Sequence, residues 1–122
     1  MKRRRVDTGC IGEQIAARYL ILAGYRIIDR NYRVGRLEID IIAERRNCLV
    51  FAEVKARRST TFGSALENLL PDKIENIREA AIRYISKNCR ARKPENIRID
   101  LVAIDIDAEK GCMILNHIKG VT

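Results

Sequence analysis

Residues Arg36 to Arg58 read RLEIDIIAERRNCLVFAEVKARR, and the fold turns on this stretch. Two apolar runs rich in β-branched residues flank the polar break Arg45-Arg46-Asn47, a pattern that favours a pair of strands over a helix. In the first run Leu37, Ile39, Ile41 and Ile42 surround Glu38 and Asp40; in the second, Leu49, Val50, Phe51, Ala52 and Val54 lead into Glu53 and Lys55. Side chains alternate along a strand, so Glu53 and Lys55 share a face with Leu49 and Phe51, and Glu38 shares one with Asp40. A strand apolar on both faces is a central strand. Carboxylates at its end are costly to desolvate unless cations or hydrogen bonds compensate them.

Two carboxylates on neighbouring strands, with a lysine beside one of them, can hold a hard divalent cation. Mg²⁺ takes one or two carboxylates and fills its shell with water and substrate phosphate oxygens. A lysine there can position a water or stabilise charge on a phosphate. Spacing alone equally fits a solvated Glu–Lys ladder, the commoner origin of an ExK triplet.

The rest of the 122-residue chain bounds the answer. Its length suits one domain over residues 1–122, with a basic N-terminal arm over residues 1–7, and 47% hydrophobic content excludes disorder. A net charge of +8, from 24 Lys and Arg against 16 Asp and Glu, points to a polyanionic partner, nucleic acid before membrane. The four cysteines include no CxxC pair and there is one histidine, His117, so a zinc site or a His-dependent nucleophile is not expected. The thiols read as small, reduced, mostly buried residues of a cytoplasmic protein. No stretch is apolar enough to span a membrane, and no signal peptide is expected. Gly-rich phosphate loops are absent.

The periodicity predicts a helix from Asp7 or Thr8 to about Ala23, ended by Gly24. It has a narrow polar stripe of Gln14 and Arg18, with Ile11, Ile15, Tyr19 and Leu22 on one apolar side and Ala17 and Leu20 on another. Glu13 lies off the polar stripe, in what reads as the first turn. Dipole compensation and a third acidic group for a cation site explain it equally well. Tyr25–Tyr32 reads as the first strand, Asn31–Gly35 as a turn, residues 59–64 as a loop at the rim of any site. Pro71 opens a second helix to about Asn88, burying Ile74, Ile77, Ala81, Tyr84 and Ile85. Ile97–Ile106 and Cys112–Ile118 read as the last strands, joined by the hairpin loop Asp107–Gly111; Asp100 interrupts the former as Asp40 interrupts its own. The order α-β-β-β-α-β-β predicts a mixed sheet with helices on its faces. Lys87, Arg90, Arg92 and Lys93 form a dense basic cluster, read either as a phosphate contact or as a solvated helix end.

Taken together, Glu13, Asp40 and Glu53-Val54-Lys55 resemble the restriction-endonuclease-like, PD-(D/E)xK superfamily. The closer resemblance, over nearly the whole chain, is to the YraN-like family of bacterial proteins. It is carried by Gly9-Cys-Ile-Gly-Glu13, Arg30-Asn31-Tyr32, Leu37-Glu-Ile-Asp40, Phe51-Ala-Glu-Val-Lys55-Ala-Arg57, Lys73 and Arg98-Ile-Asp-Leu-Val102. Leu37 stands where the family has glycine, and Ile99 where it has phenylalanine. The resemblance implies an α/β fold with an αβββαβ core, a mixed central sheet flanked by helices, and metal-dependent phosphodiester cleavage. It implies Mg²⁺ or Mn²⁺ held by Asp40, Glu53 and the Val54 carbonyl, with Glu13 ligating directly or through water, and Lys55 acting on the attacking water. Arg57, Arg58, Lys73, Lys87, Arg90, Arg92 and Lys93 would contact phosphates, of DNA sooner than RNA. The helix glutamate also looks like that of archaeal Holliday-junction resolvases, which would imply a homodimer on branched DNA. The alternatives are a nucleic-acid-binding module without turnover, or an interaction protein whose acidic cluster is structural.

Overall fold

The computed structural model describes residues 8–58, 71–89 and 92–121. Its elements run α1 (Thr8–Leu22), β1 (Arg26–Val34), β2 (Leu37–Arg45), β3 (Cys48–Arg58), α2 (Pro71–Asn88), β4 (Asn96–Asp107) and β5 (Cys112–Ile118). They form one five-stranded sheet in the order β1-β2-β3-β4-β5. β3 and β4 are parallel and all other neighbours antiparallel. The parallel pair needs a crossover, and α2 supplies it. This is the αβββαβ order and helix-flanked mixed sheet that the sequence predicts, with β5 added at the edge. The basic arm of residues 1–7, the loop at 59–64 and Arg90 lie outside the described residues. No described helix is long and apolar enough to cross a membrane.

β3 is central and apolar on both faces. Val50 and Ala52 bury against α1 with Leu20, Ile41 and Val102; Leu49 and Phe51 bury against α2 with Ile77 and Tyr84. The two helices therefore cover opposite faces. α1 ends as its sequence dictates: Gly24 takes φ +93°, and Tyr25 N–H donates back to the Leu20 carbonyl at 2.9 Å. Small residues let α1 lie low on the sheet. Gly12, Ala16 and Ala17 are buried, and a Cβ at Gly12 would collide with the Ala56 Cβ of β3. Gly12→Ala is expected to cost about 1–3 kcal/mol by overpacking, measured by urea unfolding. An unchanged unfolding midpoint would mean that α1 does not dock this closely.

Several expectations are corrected. Leu22 is 88% exposed, because the apolar face of α1 follows Gly12, Ala16 and Leu20 rather than the line through Leu22. Glu13 lies in the second turn of a helix that starts at Thr8, so terminal dipole compensation does not account for it. Asn31 belongs to β1, which runs on to Val34, and not to a turn. None of the four cysteines is fully buried; all are free thiols. The β2–β3 hairpin turns on Arg46 and Asn47, both at positive φ (48° and 62°). Asparagine tolerates that conformation, whereas arginine there costs about 1 kcal/mol.

Candidate active site

The site forms where β2 and β3 part. Their ladder runs from Arg45–Cys48 to Ile41–Ala52 and stops there, although both strands continue. The main-chain donors beyond that point need other partners. Asp40 supplies one: its Oδ2 accepts the Val54 N–H at 2.8 Å. Glu53 precedes Val54 and faces α2, where Lys73 Nζ stands 3.3 Å from its Oε1. From the other face, Glu13 of α1 reaches the same gap. Asn31, with its amide nitrogen turned toward Glu13, donates to both carboxylate oxygens at 3.0 and 3.3 Å. Asn31 takes a positive φ (53°) between Arg30 and Tyr32, which pair with Ile41 and Ile39 on either side of Asp40.

The electrostatics follow from this crowding. Burial pushes the Glu53 carboxyl up to about 7, the Asp40 charge adds to it, and Lys73 works against it. Burial also raises Asp40, against the Val54 N–H that favours its charged form. Glu13 is raised by burial first and by Asp40 next. Lys73 is raised by the Glu53 charge. Carboxylates forced together midway along a central strand, with one half-exposed lysine beside Glu53, form a cluster short of positive charge. Among the described residues, no three carboxylate, imidazole or thiolate groups stand as a finished metal cage. Mg²⁺ does not require one, since two carboxylates and water complete its shell. The hard oxygen donors of Asp40 and Glu53, and their deficit of positive charge, fit such an ion.

Each expected residue has a definite place. Glu13, Asp40 and Glu53 meet at the gap. Lys55 lies two residues beyond Glu53 on the same face of β3, since the regular β3–β4 register leaves no bulge between them. Glu38, a weaker candidate, is exposed and stands 3.7 Å from Arg33. Arg57 and Arg58 continue β3 past the site. Lys73, expected at a phosphate, stands beside Glu53 in the acidic cluster. Lys87 is at the other end of α2, 14 residues on and thus roughly 21 Å away. Arg92 and Lys93 line a separate cleft there, with Arg26 and Glu95. The basic residues therefore do not form one patch around the site. Asn31 was missed as a site residue, although Arg30-Asn31-Tyr32 stood among the motifs.

Asp100 has a different fate from Asp40. It is fully buried, and its oxygens accept from Arg98 Nε and Nη2 (both 2.8 Å), His117 Nε2 (2.6 Å) and Gly120 N–H (3.1 Å). Arg98 also donates to the Tyr25 hydroxyl at 2.6 Å, and His117 Nδ1 meets the Tyr19 hydroxyl at 2.9 Å. This network ties β4, β5 and the end of α1 together, and it leaves Asp100 no free oxygen for a metal.

Comparison with known proteins places the chain. A UPF0102 protein of Syntrophomonas wolfei is 43% identical over 112 residues, covering 92% of this chain and 94% of the relative. One from Kineococcus radiotolerans is 36% identical over 120 residues, covering 98% and 97%. Among solved structures, an XisH family protein from Nostoc punctiforme is similar at 17% identity and a TM-score of 0.39, over 88% of this chain and 98% of that one. Residues 12–104, which hold Glu13, Asp40, Glu53 and Lys55, match the profile described as "Uncharacterised protein family UPF0102", and the chain belongs to that YraN-like family.

Proposed function

We propose that the protein is a Mg²⁺- or Mn²⁺-dependent endonuclease that hydrolyses phosphodiester bonds in DNA. The observation that carries this reading is the meeting of Glu13, Asp40 and Glu53 at the gap between β2 and β3, with Lys55 next along the same strand. Asp40 and Glu53, with the Val54 carbonyl, would hold the cation, and Glu13 would bind it directly or through water. The bound cation supplies Lewis acidity at a phosphoryl oxygen and lowers the pKa of a water. Lys55 would orient an attacking water and stabilise charge building on the phosphate. Lys73 neutralises Glu53 while no cation does, and turns to the phosphate once Glu53 is otherwise compensated. Asn31 fixes the Glu13 carboxylate by its two hydrogen bonds.

One other reading is a nucleic-acid-binding module without turnover, and the Lys73–Glu53 ion pair, which compensates the buried carboxylate without a cation, favours it. A cleavage panel of duplex, nicked, flap and four-way DNA in Mn²⁺ separates the two. The nuclease reading expects cleavage by the wild-type chain and its loss in both Lys55→Ala and Glu53→Ala. Cleavage surviving in both variants, or no Mn²⁺ binding by calorimetry with or without DNA, overturns it. The binding module instead expects affinity that falls steeply with salt and survives Asp40→Ala.

A further inference from the structure

The end of the sheet remote from the acidic cluster carries a second charged feature. A cleft of about 230 Å³ is lined by Tyr25, Arg45, Arg46, Cys48, Arg98 and Lys119. Four of these six are cations and none is an acid. A second cleft at the same end, on the α2 side, has Arg26 taken by Glu44 at 2.9 Å and Glu95 in its wall. The all-cationic cleft has one cation, Arg98, with an acidic partner among the described residues. Its one buried acid neighbour, Asp100, sits behind Arg98 and is filled by Arg98, His117 and Gly120. Among the described residues, no carboxylate stands within ion-pair distance of Arg45, Arg46 or Lys119.

The cleft is also built rather than incidental. Tyr25 is 5% exposed, and its ring has the Arg45 guanidinium 5.4 Å from the centroid and that of Arg98 at 5.8 Å. Stacking on a buried ring limits where these guanidiniums can go. Arg98 is further fixed by its hydrogen bond to the Tyr25 hydroxyl. Arg46 occupies the left-handed first position of the hairpin turn, where asparagine or glycine is the usual residue. A large cation is thereby displayed at the tip, on the rim of the cleft. The guanidiniums of Arg45 and Arg46, which have no acidic partner among the described residues, match the oxygens of a phosphate, to which arginine binds through paired hydrogen bonds; Arg98, whose Nε and Nη2 are taken by Asp100, stands behind them.

We propose that Arg45, Arg46, Arg98 and Lys119, backed by Tyr25, form a binding site for a phosphate group. This rests on the nuclease reading for one further step: the group is a backbone phosphate of the same nucleic acid that is cut. Cys48 of the cleft and Glu53 of the acidic cluster lie five residues apart on β3, roughly 17 Å along the strand. Successive phosphates advance about 3.4 Å along a duplex, so the cleft engages the backbone about five nucleotides from the bond that is broken.

The test compares the wild-type chain with two triple variants of equal charge loss. One is Arg45→Gln/Arg46→Gln/Lys119→Gln in the cleft. The other is Arg18→Gln/Arg78→Gln/Arg83→Gln on the exposed faces of α1 and α2. Binding of a short labelled duplex is followed by anisotropy across a salt series, Mn²⁺ binding by calorimetry, and folding by thermal unfolding. The cleft variant is expected to bind duplex about tenfold more weakly, with a salt dependence shallower by about one to two phosphates. Its Mn²⁺ affinity and unfolding are expected to match the wild type, and the control variant should lose much less affinity. Equal losses in both triples would reduce the effect to net charge and overturn the site. Wild-type duplex binding that the cleft substitutions leave intact overturns the site while the nuclease reading stands. No binding to the duplex or to nicked, flap and four-way DNA removes the nuclease reading, and inorganic phosphate then decides the cleft alone. Binding heat that vanishes in the cleft variant supports a free-phosphate site, and no heat with the wild type overturns it.

Discussion

Asp40→Asn is expected to leave a folded protein whose DNA cleavage falls on the order of 10³-fold, the scale on which a lost charge-stabilising or acid–base group acts. The substitution is chosen for what it keeps. Asparagine retains an oxygen that can accept the Val54 N–H, now bound at 2.8 Å, so the junction where β2 and β3 part stays tied. What it removes is the negative charge that would hold a divalent cation. Folding should not suffer. Burial raises the Asp40 carboxyl above its ordinary value of 3.8, so the folded state favours the protonated form. A carboxyl shifted in that direction contributes stability at low pH and loses it as pH rises through the folded value. A permanently neutral side chain avoids that loss, and the melting temperature near pH 8 should equal or exceed that of the wild type. Cleavage, Mn²⁺ calorimetry and thermal unfolding on one preparation check all three parts. Undiminished cleavage would remove Asp40 from the chemistry, and a collapsed melting temperature would make it a structural residue.

The strand pair around this site was legible in the sequence because alternation and the polar break at Arg45–Asn47 dictate it locally. The gap itself was not, since it depends on where the ladder stops, and Asp40 and Glu53 look no different in sequence whether their strands stay paired or part. Lys73 carried no local sign of its ion pair: the contact to Glu53 depends on how the helix docks across the sheet. The spread of the basic residues was not legible for a related reason. Lys73 and Lys87 are both basic residues of one helix, and only its length, laid along the sheet, sends them to opposite ends. Leu22 and Cys10 were read from local apolarity, yet their burial is decided by which face of α1 meets β3, and the small residues Gly12, Ala16 and Ala17 decide that. Asn31 shows the limit most clearly. Its neighbours in sequence do not announce its positive φ, and the use of its side chain becomes apparent only when Glu13 arrives from another element.

Asp100→Ala is expected to cost about 3–5 kcal/mol of folding stability, because it strands the buried donors that converge on one carboxylate. For a chain of this length that lowers the melting temperature by at least about 10 °C. The same network sets a pH dependence of opposite sign to that of Asp40. Burial alone would raise Asp100, but hydrogen bonds from His117, Arg98 and the Gly120 N–H overcome it and hold the carboxyl at about 2, against an ordinary 3.8. A depressed carboxyl contributes its stability above the unfolded value and loses it as pH falls through the folded one. The wild-type chain should therefore lose about 2 kcal/mol between roughly pH 4 and pH 2 from this group, a limb missing in Asp100→Ala. Urea unfolding of both proteins across that range measures the difference. Adding Arg98→Met to Asp100→Ala should recover part of the loss, since a neutral side chain leaves no unpaired guanidinium behind. Two aspartates in apolar strands thus differ by their partners: removing the first is expected to silence cleavage and spare the fold, and removing the second to do the reverse in any variant still folded enough to assay. If Asp100→Ala melted with the wild type, the network would not be what fastens β5 to the sheet, and the fixed position of Arg98 in the cationic cleft would lose its support.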